Sequence, residues 1–496
     1  MRTLLLLFFL IAFTSIKAQI KNIFLDREFW KSKPSVEQVK EKIKEGHNPT
    51  EKDRFSFDAV SYAIIDDVPS ETIKYLLTIE GNPVEKPTHG GVTYLLWSSY
   101  KGNLEIMNHL ISLGANTNMV TSRGTNMLHM AAIGGVADKK VYDLILDQKI
   151  DVNWVNENGT NVVHILGGSK LEDISIFDYF FNKGIKIESL DKEGNNLFNY
   201  AARGGNMEVM KMCVQKQLDY SSLNDKGENA LLFASTGMKR RNLKLDVFKY
   251  LEALGLEVDI VNWEGKTPLH MAVRRGDPEL IDFFIEKGVN INQVDENGNT
   301  ALINAVGSKI ENFQKVAKLS KHVNHQNNEG FTALTLAIKR GSKDTFDYLI
   351  KNGADIHIQD KEGNNLMFYA FESYYPRNEE TYAYFIDTLN TSGVKAANRY
   401  TNGNTLAHIA IEKESDFLLN KSLALGVDIN LKNGLNLSPL HLAAMKSKDK
   451  NLLSILLKNG ADKSSKTEYN ESAYDLAQEN EILATNNVRL GFLKTN

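Results

Sequence analysis

The sequence predicts an all-α solenoid of about 12–14 helix-turn-helix units joined by β-hairpin-like finger loops. Three observations predict it. A turn glycine followed by a threonine-like position and a short apolar helix recurs at Gly91, Gly124, Gly159, Gly194, Gly227, Gly265, Gly298, Gly330, Gly363 and Gly403, at separations of 32 to 40 residues. Each copy carries two short apolar stretches at helical spacing, neither able to bury its face alone, so neighbours must stack. Finally, 496 residues with 42% hydrophobic and 24% charged composition exceed one ordinary core, yet nine prolines and 34 glycines suggest no long linkers. An array grows without enlarging its core.

Residues 1–18 read as a secretory signal peptide. Arg2 precedes an apolar run from Leu4 to Phe13 that is too short to cross a bilayer, and Ala18 supplies a small residue at the expected cut site. The alternative is an uncleaved anchor, which so short a run disfavours. Cleavage removes Arg2 and Lys17, taking the balance from 58 − 62 = −4 to 56 − 62 = −6. That charge argues against a nucleic-acid coat. No later apolar segment reaches membrane-spanning length, so the mature chain is expected to be soluble, without stable membrane insertion. The single cysteine, Cys213, forbids an intramolecular disulfide and any multi-cysteine metal site. It lies in a helical-looking apolar stretch and reads as core. Export with one cysteine favours a periplasm, with secretion as the alternative.

Residues 19–53 read as an N-terminal capping repeat, 54–466 as the array, and 467–496 as a C-terminal capping repeat and tail. The clearest unit starts at Gly265. Thr267 before Pro268 is an N-cap followed by proline at the first helical position, where its missing N–H costs nothing. Leu269 and Ala272 share one face, and Gly276 ends the helix. A second helix follows over Pro278-Glu279-Leu280-Ile281-Asp282-Phe283-Phe284-Ile285, closed by Gly288. Asp295-Glu296-Asn297-Gly298 then forms the finger turn. Ser438-Pro439-Leu440-His441-Leu442-Ala443-Ala444 is a nearly complete second copy.

This motif at a period near 33 resembles the ankyrin-repeat family over roughly residues 54–480. The resemblance implies that His129, His164, His270, His408 and His441 hydrogen-bond the finger backbone. Rings so far apart along the chain share no metal. His322 and His325 are the only close pair, and nothing nearby completes a ligand set. Finger acids lack the alternating ligands of a calcium loop. There is no phosphate loop, nucleophile elbow or metalloprotease helix. No catalytic residue, metal or cofactor is therefore assigned, and the chain reads as a non-enzymatic scaffold for a protein partner. A catalytic or enzyme-associated accessory protein of the cell envelope, or a structural spacer, is the alternative.

The resemblance also implies that partners are met on a concave face built from finger tips and first-helix ends. Arg203, Arg274, Arg275, Lys339 and Arg340 then form a basic row below fingers that carry Trp263, Lys266, Phe331 and several glutamates. The small Gly307-Ser308 interrupts that row. It reads either as a groove for an acidic protein surface or as solubilising charge. Tyr374 and Tyr375, in an aromatic insertion, have no obvious core partner, so they read either as interface residues or as packing within the insertion.

Overall fold

A computed structural model of the chain describes residues 22–237, 243–396 and 399–495. The expected leader and the basic run Lys239-Arg240-Arg241 lie outside the described residues. Among those described there are 28 α-helices and no strand, with one isolated antiparallel bridge between Gln359 and Asn365. The helices fall into two compact units: Met1–Asp225 with Asn229–Leu251, and Lys226–Glu228 with Glu252–Asn496.

In the second unit, helix Pro268–Arg275 starts as its sequence demands. The Thr267 side chain accepts from the His270 N–H, and Gly276 closes the helix at φ 70°. Its partner helix Pro278–Glu286 is capped by Asp277. Leu269, Ala272, Ile281 and Phe284 are all buried between the helices. The leucine, isoleucine and phenylalanine contribute ~1.5–3 kcal/mol each on burial, which isolated helices of this length need. Cys213, in helix Met207–Gln215 of the first unit, is fully buried, and burial pushes its thiol up to about 12.

The fingers are hairpin-like turns without a strand ladder. Each of those starting at Asn262, Asp295 and Asn327 is closed by one backbone bond, as from the Asn262 N–H to the Lys266 carbonyl at 3.0 Å, and by one side chain. Asn262 Oδ1 accepts from the N–H groups of Glu264 at 3.1 Å and Lys266 at 2.8 Å. Asp295 and Asn327 repeat the arrangement in the next two fingers. Successive tips share one backbone bond, as from the Glu296 N–H to the Glu264 carbonyl at 2.7 Å. One rung per finger makes no strand. Gly265 is required twice over: its φ is 73°, and a Cβ there would lie 2.5 Å from the Val294 carbonyl oxygen of the next finger.

The repeat histidines act as the resemblance implied. The Nε2 of His164 bonds the Ser189 carbonyl at 2.8 Å, that of His408 the Leu437 carbonyl at 2.8 Å, and that of His441 the Ser465 carbonyl at 2.9 Å. His129 and His270 do the same at 3.2 Å. Burial pushes His129 and His408 down to about 4, so both are neutral near pH 7.

The end units are more complete than their sequences suggest. Trp30 is fully buried and donates to the Phe24 carbonyl at 2.8 Å, and Val39 is the buried residue of helix Val36–Lys44. At the other end, Ala473–Glu479 and Glu481–Thr485 form a further helix pair. The 3₁₀ turn Leu490–Leu493 then buries Leu493.

Candidate functional site

Three consecutive first helices of the second unit are unequal. Pro268–Arg275 has eight residues and Ala333–Lys339 seven, but Ala301–Ala305 between them has five. The middle helix stops early at Val306, and Gly307-Ser308 continues without bulk. The missing turn leaves a pocket of about 350 Å³ whose lining includes Arg274, Arg275, Gly307, Ser308, Lys309 and Arg340. Arg340 leans across the gap: a Cβ on Gly307 would lie 2.7 Å from its Nη1.

The pocket gathers positive charge. Lysines on the second helices meet carboxylates of the preceding repeat: Lys287 with Glu252 at 2.5 Å, Lys315 with Asp282 at 2.6 Å, Lys421 with Asp387 at 2.6 Å. Among the described residues no carboxylate pairs with Arg274, Lys309 or Arg340. Cations gathered around a small-residue gap raise the local potential and favour an anionic visitor.

The other sequence-predicted residues have different fates. Trp263 is 73% exposed at its finger tip, and its ring lies over Gly227, where a Cβ would stand 2.6 Å away. Lys266 is held by Glu264 and, at 3.3 Å, by Glu296. Lys339 places Nζ 4.0 Å from the Phe331 ring centroid, so these two residues engage each other outside the pocket. Phe331 in turn meets Tyr369 edge-on at 5.4 Å. Arg203, in the first unit, is committed internally. Its Nε donates to the Gly237 carbonyl at 3.1 Å, and its guanidinium sits 4.9 Å from the Phe233 ring centroid.

Tyr374 and Tyr375 part company. Tyr374 is buried, stacked on Phe417 at 5.5 Å, with its hydroxyl on Glu379 at 2.9 Å, so the expectation that it lacks a core partner is corrected. Tyr375 stays 43% exposed and meets Tyr382 edge-on. Lys309 was missed by sequence reasoning, because only the early stop of helix Ala301–Ala305 brings it to the pocket.

Of the close histidine pair, His325 bonds the Gly298 carbonyl at 2.8 Å, a structural task. Among the described residues, no group of three or more His, Cys, Asp or Glu is placed to hold a metal ion, and no helix is long and apolar enough to cross a membrane.

Comparison with known proteins agrees with the repeat geometry. A family model for ankyrin repeats in three copies matches residues 238–321 and 309–395, and a single ankyrin-repeat model matches 436–468. The phosphocholine transferase AnkX of Legionella pneumophila is 31% identical over 130 residues, covering 25% of this chain and 14% of that protein. The B-cell lymphoma 3 protein homolog of Mus musculus is 26% identical over 193 residues, covering 38% of this chain and 42% of that protein. These matches span less than half the length of either relative. Among solved structures, the Bd0816 predatory endopeptidase from Bdellovibrio bacteriovorus in complex with immunity protein Bd3460 matches with a TM-score of 0.34 and 26% identity, over 38% of this chain and 96% of that one. The human ASB11 ankyrin repeat domain matches with a TM-score of 0.34 and 24% identity, over 45% and 96%. Repeated helix pairs, finger-bonding histidines and matched repeat models agree: the chain carries ankyrin repeats and folds as an all-α ankyrin-repeat solenoid.

Proposed function

We propose that the chain is an exported, non-catalytic binding module that holds an acidic loop of a partner protein in the Arg274–Gly307–Arg340 pocket. Repeats of this family are generally protein–protein interaction modules. The observation that carries the reading is the shortened helix Ala301–Ala305, which opens a gap ringed by Arg274, Arg275, Lys309 and Arg340. A preformed pocket costs little ordering entropy when a partner enters. The exposed Trp263 ring, on a finger tip of the same unit, is the candidate apolar anchor. The buried histidines already bond backbone, which supports a structural rather than catalytic use of the imidazoles.

The test is affinity capture from the native host's envelope fraction with the chain and with Arg274→Glu/Arg340→Glu. The variant should lose the partner and the salt dependence of its capture while keeping its melting temperature; Lys40→Glu/Lys42→Glu should change neither. Equal capture by both proteins at every salt concentration would refute the pocket. Export rests on the Leu4–Phe13 pattern. N-terminal sequencing of the native protein should begin at Gln19, and an intact cytoplasmic product would refute that part.

A further inference from the structure

We propose that the group held in the arginine pocket is a phosphate monoester, carried on the partner's loop as a phosphorylated serine or threonine. This deepens the function proposed above and rests on it. The three first helices around the pocket start at equivalent capped positions, Thr267, Thr300 and Thr332, but the middle one ends two to three residues sooner. At the usual helical rise that is a recess ~3–4.5 Å deep, which seats a compact tetrahedral group. None of the ten residues lining it is acidic. The nearest acid in sequence, Glu311 in the first turn of the following helix, does not line the pocket.

Charge decides between anions. Beyond Arg275, three cations line the pocket, Arg274, Lys309 and Arg340, and none has a carboxylate partner among the described residues. A carboxylate offsets one of those charges, whereas a phosphate monoester carries about −1.5 to −2 at pH 7.

The donors point the same way. The guanidinium forks of Arg274 and Arg340 donate in pairs, and Lys309 adds an ammonium. Arg340 already places its fork over Gly307. The N–H groups of Gly307 and Lys309, both lining residues, find no acceptor among the described residues. The ten-residue helix Ile310–Leu319 that starts there has no side-chain cap, so its dipole adds positive potential. A carboxylate offers two oxygens to this set, and a phosphate monoester offers three.

The surroundings favour a protein carrier over a lipid headgroup. Fingers of the same unit carry Glu296, Glu329 and Glu362 at exposed tips. A flat anionic bilayer laid along these repeats would meet that like charge, whereas a single phosphorylated side chain reaches past it.

The test is fluorescence anisotropy of the purified chain with three labelled, end-capped peptides that differ only at the central residue: phosphoserine, glutamate or serine. Phosphoserine should bind about tenfold tighter than glutamate at pH 7.5, and serine weakest of all. The advantage over glutamate should shrink to about threefold at pH 5.5, where most of the phosphate has gained a proton and the carboxylate keeps its charge. Arg340→Glu and Lys309→Glu should each weaken the phosphoserine peptide about tenfold at an unchanged melting temperature, since neither residue has an ion pair to lose. Lys40→Glu/Lys42→Glu should leave its binding unchanged. Equal affinity for phosphoserine and glutamate, or a ratio indifferent to pH, would overturn the phosphate and leave the acidic-loop reading standing. Binding of neither peptide, or binding indifferent to Arg340→Glu, would refute the pocket and both readings with it. Retention on phosphatidylcholine vesicles containing phosphatidic acid, lost in Arg340→Glu, would move the phosphate to a lipid and overturn the proposal as well.

Discussion

The ends of the first helices are built in two ways. In the first unit two of them are sealed by glycine: a Cβ on Gly134 would lie 1.8 Å from the Tyr100 carbonyl oxygen, and one on Gly204 would lie 2.6 Å from Gly168 Cα. Backbones meet there, and side chains have no room. In the second unit the corresponding ends carry Arg274, Arg275, Lys339 and Arg340, with Gly307 as a gap rather than a seal. Even the arginine of the glycine-rich row, Arg203, turns onto Phe233 and Gly237. A repeat position tells where a side chain starts. Its neighbours in adjacent repeats decide whether it is available to a partner.

The largest effect that sharpens this contrast should come from Leu269→Ala, at ~2–5 kcal/mol, because the side chain is buried in the second unit. Urea unfolding followed by hydrogen exchange should show residues 252–495 opening before 22–225. A single transition at the wild-type midpoint would place Leu269 outside the core.

Acid should weaken both units alike. His129 and His408 sit near pKa 4 when folded, against an ordinary 6.5, so the unfolded chain binds more protons between those values. Their contribution is present above pH 6.5 and is lost as pH falls toward 4, ~2–3 kcal/mol for each histidine by pH 4.5. His408→Gln should flatten the pH dependence of the second unit only, read as melting temperature from pH 7 to 4.5. A slope unchanged by the substitution would show that other groups carry it.

Gly204→Ala should cost ~1–3 kcal/mol, because the new Cβ meets backbone that has no room to yield. Gly307→Ala meets only the mobile end of Arg340, so its cost should be confined to left-handed backbone strain at φ 91°, about 1 kcal/mol. Equal costs at the two sites in chemical denaturation would erase the difference between seal and gap. The smallest effect belongs to Arg274→Glu, within about 0.5 kcal/mol, because this exposed arginine has no ion pair to lose.

Much of this was legible in the chain. Thr267-Pro268 and Ser438-Pro439 mark helix starts, the finger glycines mark tips, and the five spaced histidines mark backbone anchors. These signals are local, set by residues within a few positions of one another. What escaped depends on the next repeat. Tyr374 is buried by Phe417, Arg203 is engaged by Phe233 and Gly237, and Lys339 also meets the Tyr369 ring. Such partners lie a variable number of residues away and carry no fixed spacing. The early stop of Ala301–Ala305 was half-legible, since Gly307-Ser308 marked a gap but not that Lys309 would join its rim.

Hydrogen exchange on the chain bound to its captured partner tests the central claim most directly. The account predicts slowed exchange at 274–276, 306–309 and 339–341, where the arginine pocket would be covered, with no change at 203–207 in the glycine-sealed row. Protection confined to the second helices, with the three turns exchanging as in the free chain, would contradict it.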